Sequence, residues 1–157
     1  MTSEPIRFEL PGRSAQAFEC LVLDYTGTLS LDGKLLPGVA ERLAALSRRI
    51  RIAVLTADTF GMAESQLRTL PVEVRIIRNG LEKAEFVAAL GRERAIAIGN
   101  GNNDIPMLQC AGLGIAVIGA EGAAAKLLLA ADIVTRDILE ALDLIASPLR
   151  LKATLRE

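Results

Sequence analysis

Short apolar runs alternate along the chain with stretches in which apolar residues recur every three or four positions. The runs are aliphatic and end at polar or glycine-containing segments, which is typical of buried strands in a parallel sheet. They cover 20–24, 51–56, 72–77, 95–98, 115–118 and 133–134. The intervening stretches have the spacing of amphipathic helices, at 39–49, 60–70, 83–90, 105–110, 123–129 and 138–145. This alternation predicts βαβ units, and hence an α/β fold: a three-layer α/β/α sandwich around a Rossmann-like parallel sheet.

The two ends of the chain depart from the alternation. Apolar and polar residues alternate over 6–10, so residues 1–19 predict an edge strand or hairpin that leads into the central strand at 20–24. Residues 147–157 show no clear periodicity and are interpreted as a C-terminal tail. We therefore expect a single domain over 1–157.

A turn signal follows the central strand. Asp32 and Gly33 are flanked by leucines, which predicts a β-hairpin flap over 29–36. The connections between the other elements are too short to hold a cap domain, so we expect the edge of the sheet to be open.

Composition narrows the possible partners. The 157 residues carry a net charge of −1 and only four Phe and one Tyr, with no Trp, which argues against nucleic-acid and anionic-membrane binding. The N-terminus lacks the basic and apolar regions of a signal peptide, and no apolar stretch is long enough to span a bilayer, so we expect a cytoplasmic protein. A mean hydropathy of +0.36 favours either a rich core or a homo-oligomer, dimer or tetramer.

The chain contains no histidine, which excludes Ser-His and Cys-His catalysis and histidine metal sites. Any acid–base or nucleophilic chemistry must therefore use carboxylates, lysine, hydroxyl groups or metal-bound water.

Polar residues follow the predicted strands at the points where ligands gather in parallel sheets. Asp24 ends the first buried strand, Thr56 ends the second, Lys83 opens a helix and 99–104 follow the fourth strand. Taken singly, each has an ordinary structural explanation, such as a helix cap, a turn or a solvated lysine. Together, at one edge of one sheet, they indicate a phosphoryl-transfer site, which needs an ionised carboxylate nucleophile, a cation, hydroxyl or amide donors and a hard metal ion.

The candidate site residues fall into three groups by role. We expect Asp24, Thr26 and Lys83 to be catalytic, with Asp24 as the nucleophile. Oxygen ligands for Mg²⁺ are expected from four residues: Asp24, Thr26 through its carbonyl, Asn100 and Asp104. Donors to the phosphate oxygens are expected from hydroxyl, ammonium and backbone amide groups: Tyr25, Gly27, Thr56, Ala57 and Lys83.

With these residues in order, the chain resembles the haloacid dehalogenase-like (HAD) superfamily over nearly its full length. The segment 24–30 is similar to the D-K-T-G-T-L-T loop of P-type ATPases, 55–58 to their T-G-D segment and 99–104 to their G-D-G-x-N-D hinge. The resemblance is to small, capless, soluble P-type ATPase-like members. It implies a HAD-type sheet and a Mg²⁺-dependent phosphatase that hydrolyses a small phosphate monoester through an aspartyl-phosphate on Asp24.

Two positions depart from the family pattern. Thr26 stands where most HAD phosphatases have a second Asp that protonates the leaving alcohol, and a hydroxyl has no suitable pKa for that role. Asn100 stands where the ATPase pattern has an Asp, so one negative charge of the metal site is lost and metal affinity should fall.

These departures leave alternatives to the phosphatase. One is a low-turnover or non-catalytic regulatory module that accepts a phosphoryl group, and another is a soluble ATPase, although no segment is left for an adenine pocket. Receiver domains, which also phosphorylate an Asp at a strand end, would need an acidic pair near their first strand that is absent here.

Overall fold

The computed structural model describes residues 4–9, 14–58 and 61–157. Ten strands lie in this part of the chain: β1 Ile6–Phe8, β2 Gln16–Phe18, β3 Cys20–Asp24, β4 Ser30–Leu31, β5 Lys34–Leu35, β6 Arg51–Thr56, β7 Glu73–Ile76, β8 Ala95–Gly99, β9 Leu113–Val117 and β10 Ile133–Thr135. Seven α-helices accompany them: α1 Val39–Leu46, α2 Met62–Leu67, α3 Gly80–Leu90, α4 Ile105–Cys110, α5 Ala125–Ala130, α6 Ile138–Ile145 and α7 Pro148–Leu155. Single 3-10 turns at Arg92–Arg94 and Asn102–Asp104 lead into β8 and α4 respectively.

Six strands form one parallel sheet in the order β10-β9-β8-β3-β6-β7. All five residues of β3 are buried, because the strand lies in the middle of the sheet with helices over both faces. The α/β sandwich with a parallel sheet is thereby confirmed.

The two faces of the sheet belong to different hydrophobic clusters, as the alternation of side chains along a strand requires. Leu21 and Leu23 of β3 pack with residues of α1, α2, α6 and α7, whereas Cys20 and Val22 pack with residues of α3, α4 and α5. Both helical layers of the three-layer sandwich therefore rest on alternate residues of the same strand.

The N-terminal strand does not join the edge of the main sheet. β1 pairs antiparallel with β2 in a separate two-stranded sheet, and the rings of Phe8 and Phe18 stack with centroids 5.6 Å apart. β1 and β2 are thus paired as the hairpin interpretation of 1–19 expects, and residues 10–13 between them lie outside the described residues. Sequence alternation could not distinguish this hairpin from an edge strand, because both bury one face.

The flap and the C-terminal region complete the chain. β4 and β5 form the expected antiparallel hairpin, with Asp32 and Gly33 at φ of 52° and 82°, the left-handed conformation of a tight hairpin turn. Residues 148–155, interpreted as a tail, instead form α7, which buries Leu151 against the core. Within residues 4–9, 14–58 and 61–157, none of the helices has the length and hydrophobicity that a membrane crossing requires.

Candidate active site

The site lies where the strand order of the sheet reverses. From β3, the chain adds β6 and β7 on one side and β8, β9 and β10 on the other, so the carboxyl ends of β3 and β8 border a crevice. Such a crevice is the usual ligand site of open α/β sheets. Asp24 is the last residue of β3 and Gly99 the last residue of β8, which brings the loops that follow them together.

A buried lysine joins two carboxylates at this edge. Lys83 is only 2% exposed, and its Nζ lies 2.9 Å from Asp24 Oδ1 and 2.7 Å from Asp104 Oδ1. Its helix, α3, begins earlier than expected, at Gly80, and is capped by Asn79, whose Oδ1 accepts a hydrogen bond from the Glu82 amide. The first turns of α3 thus direct the lysine into the crevice rather than into solvent.

Asp104 is held by the loop that carries it. Its Oδ2 accepts hydrogen bonds from the backbone amides of Asn100 and Gly101, both at 3.0 Å, while Oδ1 accepts from Lys83. A Cβ atom on Gly99 would lie 2.5 Å from this carboxylate, so the close return of the loop requires glycine there. Oδ2 thus accepts two hydrogen bonds and Oδ1 accepts one, so Oδ1 keeps a lone pair for one further contact.

Thr28 connects the nucleophile loop with the loop after β8. Its hydroxyl oxygen lies 3.3 Å from Asp24 Oδ2 and 3.2 Å from Asn100 Oδ1, and the residue is buried. Two oxygens expected to ligate a metal therefore converge on one hydroxyl. Thr28 was not among the predicted site residues, although it lies within the segment 24–30; a catalytic role was predicted for Thr26 instead.

The loop after Asp24 is organised around one carbonyl group. The Tyr25 carbonyl oxygen accepts hydrogen bonds from the amides of Thr28, Leu29 and Ser30 and from the Ser30 hydroxyl. The Tyr25 side chain is buried, and its hydroxyl donates to the Gly33 carbonyl of the flap at 2.7 Å. The loop and the flap are thus fixed to each other.

Thr26 and Gly27 form the tip of this loop. The Thr26 side chain is exposed, whereas Gly27 is buried at φ of 76°. A Cβ on Gly27 would lie 2.4 Å from Asn100 Nδ2, so glycine at this position makes room for the Asn100 side chain. Thr26 takes no part in the hydrogen bonds described above that join Asp24, Thr28, Lys83, Asn100 and Asp104.

Thr56 ends β6, the strand beside β3, and so lies at the same edge as Asp24. The buried Thr56 hydroxyl accepts a hydrogen bond from the Asp58 amide at 2.9 Å, which leaves its own proton for another acceptor. Asp58 Oδ1 in turn accepts a hydrogen bond from the Ala63 amide in the first turn of α2, whose N-cap residue is Gly61. Ala57 follows Thr56 and is exposed.

The charges at this edge do not balance. Burial, and then the like charge of Asp104, raise the pKa of Asp24 from 3.8 to about 7 although Lys83 opposes the shift. Burial alone would lower the pKa of Lys83, but the two carboxylates outweigh it and the pKa is raised. One ammonium group therefore serves two carboxylates, and the cluster carries an excess negative charge only where Asp24 is ionised, above about pH 7.

This donor set fits a hard divalent cation. Asp24 Oδ2 and Asn100 Oδ1 converge near the excess charge, and carboxylate and amide oxygens are the ligands that Mg²⁺ prefers. No group of three or more acidic, cysteine or histidine side chains with metal-binding geometry occurs among residues 4–9, 14–58 and 61–157. The protein alone therefore offers few charged ligands, and a bound cation would keep positions open for water or a phosphate oxygen.

Comparison with known proteins assigns the chain to a family. A family of haloacid dehalogenase-like hydrolases matches residues 54–140, more than half of the chain. The chain belongs to the haloacid dehalogenase-like hydrolases. The matched range of this HAD hydrolase contains Thr56, Lys83, Asn100 and Asp104, while Asp24 precedes it.

The chain is also similar to individual known proteins. An uncharacterized protein of Methanocaldococcus jannaschii is 57% identical over 65 residues, which cover 41% of this chain and 70% of that protein. A Legionella pneumophila structure described as a HAD superfamily hydrolase of subfamily III A matches with a TM-score of 0.71 and 21% identity, over 88% of this chain and 87% of that chain.

A third similarity is to the 3-deoxy-D-manno-octulosonate 8-phosphate phosphatase of Moraxella catarrhalis, solved in complex with a magnesium ion, a phosphate ion and a KDO molecule. The TM-score is 0.68 at 19% identity, over 83% of this chain and 87% of that chain. At this identity the similarity establishes the shared fold.

Proposed function

We propose that this HAD hydrolase is a Mg²⁺-dependent phosphatase that cleaves a small phosphate monoester through an aspartyl-phosphate on Asp24. The observation that carries the proposal is the buried Lys83 between Asp24 and Asp104 at the topological switch point of the sheet. A buried ion cluster with one carboxylate in excess is a poor means of stabilising a fold, since desolvating the charges costs more than unscreened pairing returns. Its retention at a crevice favours a functional explanation.

In the proposed first half-reaction, a carboxylate oxygen of Asp24 attacks phosphorus and the bond from phosphorus to the ester oxygen breaks. The leaving alkoxide takes a proton from water, because Thr26 occupies the position of the usual acid and a hydroxyl group cannot supply that proton near neutral pH. In the second half-reaction, water attacks the phosphoryl group, inorganic phosphate leaves and the Asp24 carboxylate is regenerated.

The neighbouring residues orient and stabilise the transferred group. The Lys83 ammonium group holds Asp24 in position and supplies positive charge beside the phosphoryl oxygens. Thr56 has a hydroxyl proton to donate to one of these oxygens, and the amides of the 25–27 loop and of Ala57 are proposed as further donors. Asp104 acts on the reaction through Lys83 and the loop after β8.

The proposed cation is held by Asp24, Asn100 and the Thr26 carbonyl, with Asp104 acting directly or through water. When bound, a divalent cation neutralises the charge of the phosphoryl group during transfer. Support comes from the oxygen-only donor set and from the excess negative charge of the cluster. The related fold of the Moraxella phosphatase, which was solved with magnesium and phosphate ions, agrees with this proposal.

The direct test is hydrolysis of a generic aryl phosphate by the native chain, Asp24→Asn and Glu85→Gln, each with and without Mg²⁺. Glu85→Gln makes the same carboxylate-to-amide change on the exposed face of α3. The proposal expects Mg²⁺-dependent release of the phenol from the native chain and the control, and a loss of at least about a thousandfold in Asp24→Asn. Equal activity of native chain and Asp24→Asn would refute it.

A second function is favoured by one observation, the exposed threonine at position 26 where the acid is missing. If water cannot replace this acid, the chain would accept a phosphoryl group on Asp24 and lose it slowly, as a regulatory module does. Stoichiometric labelling by a small phosphodonor without further turnover would support this function over the phosphatase.

A further inference from the structure

β10 forms one edge of the main sheet, and within residues 4–9, 14–58 and 61–157 its outer side has no neighbouring strand. A groove of about 380 Å³ runs beside it, between Val134 on the strand and Leu144 and Arg150 on α6 and α7. Proteins usually cover or protect such an edge, because its backbone groups can pair with a strand of another chain. The groove leaves this edge accessible to a partner.

Large apolar side chains are exposed beside the open edge. Val134, the middle residue of β10, is 45% exposed, and Leu129 of α5 is 91% exposed. Val134 pairs in register with Ala116, which packs in the same hydrophobic cluster as Leu127 of α5. Val134 and α5 therefore lie on the same face of the sheet, and a chain paired with β10 would cover apolar surface on that face.

The exposed positions along β10 carry a self-complementary order of charge. Asp132, Val134 and Arg136 are exposed, whereas the two residues between them are buried. In an antiparallel pair of two copies centred on Val134, Asp132 lies directly opposite Arg136 of the partner subunit, and symmetry repeats this contact. Opposite charges at such positions stabilise strand pairing, whereas like charges destabilise it. Charges at an edge often prevent self-pairing, but two-fold pairing of β10 brings opposite signs together.

The other edge of the sheet, β7, lacks this order. Two copies of β7 paired about its centre would place Glu73 opposite Ile76 and Val74 opposite Arg75, so neither contact joins opposite charges. The Arg75 guanidinium group already bonds Glu73 of its own strand at 2.5 Å. An exposed charge of this kind protects an edge from pairing. Of the two edges, β10 is the one that a second copy fits.

The present contacts of the two charged residues permit the pairing. Arg136 forms an ion pair with Glu140, but its side chain is 86% exposed, so the exchange of one carboxylate for another costs little. Asp132 Oδ2 accepts a hydrogen bond from the Gly114 amide at 2.8 Å, which holds the carboxylate beside the strand. Neither of these contacts has to give way to a buried, unpaired charge when a second strand arrives.

We propose that two copies of this chain associate through β10, in antiparallel register centred on Val134, so that their two six-stranded sheets become continuous. Backbone hydrogen bonds, the contact between the two valines and the two ion pairs set the register. Because β10 has only three residues, strand pairing alone buries less area than a stable interface needs, and the exposed Leu129 on the same face adds to it. The inference does not depend on the proposed function, because none of these residues belongs to the candidate active site.

The test is sedimentation equilibrium of the full chain between about 1 μM and about 1 mM. We expect the native chain to form a dimer in this range. Arg136→Glu and Asp132→Lys each place like charges opposite each other at both symmetric positions, so the dissociation constant should rise roughly tenfold or more. Arg75→Glu reverses an exposed charge on the other edge strand, and we expect it to leave the dissociation constant unchanged.

A mixture of the two charge-reversed variants tests the register itself. When one copy carries Arg136→Glu and the other Asp132→Lys, opposite charges face each other again at both positions. We expect the mixture to dimerise at concentrations at which each variant alone is a monomer. A variant that had merely lost stability would not be rescued in this way, and circular dichroism checks the fold of each chain.

A native chain that remains a monomer up to about 1 mM would overturn the inference and leave the edge to an extended segment of another protein. A dimer that Arg136→Glu leaves intact, or that Arg75→Glu dissociates, would also overturn it. If Asp132→Lys does not fold, the native chain, Arg136→Glu and Arg75→Glu decide, because both arginines are exposed. Hydrolysis of an aryl phosphate enters none of these measurements, so the inference and the phosphatase can fail separately.

Discussion

Asp24 is a nucleophile candidate in a position that destabilises its ionised form. Burial of the residue, which is only 6% exposed, and the like charge of Asp104 outweigh the effect of Lys83, so the pKa of Asp24 is raised from 3.8 to about 7. Replacing Asp24 with asparagine removes the charge and keeps the shape. We therefore expect Asp24→Asn to be inactive and, without metal, more stable than the native chain above neutral pH.

The sign and the magnitude follow from the two pKa values. Between pH 3.8 and about 7 the folded native chain binds a proton at Asp24 that the unfolded chain has released, so the free energy of unfolding falls as the pH rises through this range. At about 1.4 kcal/mol per pH unit, the total loss approaches about 4 kcal/mol. The asparagine side chain does not titrate, so the Asp24→Asn variant should match the native chain near pH 4 and exceed it by up to about 4 kcal/mol at about pH 8.

The assay is urea unfolding followed by far-ultraviolet circular dichroism, in the presence of a metal chelator, at several values between about pH 5 and about pH 8. Glu85→Gln serves as the matched control, since it makes the same carboxylate-to-amide change on an exposed residue of α3. A difference between Asp24→Asn and the native chain that does not change with pH would refute the reasoning. So would an Asp24→Asn variant that is less stable than the native chain at the highest pH.

Three further substitutions test other parts of the site. Lys83→Met leaves two buried carboxylates without their ammonium partner, so the free energy of unfolding, measured with urea near neutral pH, should fall by about 3–5 kcal/mol. A fall below about 1 kcal/mol would contradict the ion cluster. Thr28→Val keeps the shape of the side chain but removes the hydroxyl group between Asp24 and Asn100. We expect Mg²⁺-dependent turnover of an aryl phosphate to fall about tenfold or more, while the melting temperature changes little. Unchanged turnover would count against a role for Thr28. Tyr25→Phe removes the hydrogen bond from the tyrosine hydroxyl to the Gly33 carbonyl of the flap. Hydrogen exchange of the hairpin amides should therefore accelerate, and the free energy of unfolding should fall by about 1 kcal/mol. Unchanged exchange would show that other contacts fix the flap.

Much of the central sheet could be predicted from the sequence because its strands are buried on both faces. β6 and α4 have the expected bounds, and β3 was located to the residue, since a run of aliphatic residues that ends in Asp is a strong signal. β7 was placed less well: it lies at the edge of the sheet, and its last residues, Arg75 and Ile76, are exposed. An edge strand has a weaker pattern, because one of its sides has no neighbouring strand.

The missed helix α7 has a similar cause. Of its leucines only Leu151 is fully buried, and Leu149 is 80% exposed, so no apolar stripe develops along it. The signal that could have located it is Pro148 directly after Ser147, a proline at the first helical position behind a residue that often caps helices.

Some contacts of the candidate site could likewise be predicted from the sequence, and others could not. Lys83 was predicted at the same edge as Asp24 because it opens a helix where the ends of the predicted strands gather, and the structure brings the two side chains together. The contact of Thr28 with Asn100 joins residues 72 positions apart, and the orientation of the Asn100 amide depends on a backbone carbonyl at Gly122. Any residue type can supply a backbone carbonyl, so the hydrogen bond from Asn100 to Gly122 could not be predicted from the sequence.

The most direct test of the central claim is the detection of a phosphoryl group on Asp24 itself. The native chain is mixed with Mg²⁺ and a small phosphodonor, quenched in acid within one turnover, digested and analysed by mass spectrometry, with Asp24→Asn and Glu85→Gln treated in parallel. The account expects one phosphoryl group on the peptide that contains Asp24 in the native chain and in Glu85→Gln, and none in Asp24→Asn. Turnover by Asp24→Asn, or turnover by the native chain with no phosphoryl group on that peptide at any quench time, would contradict it.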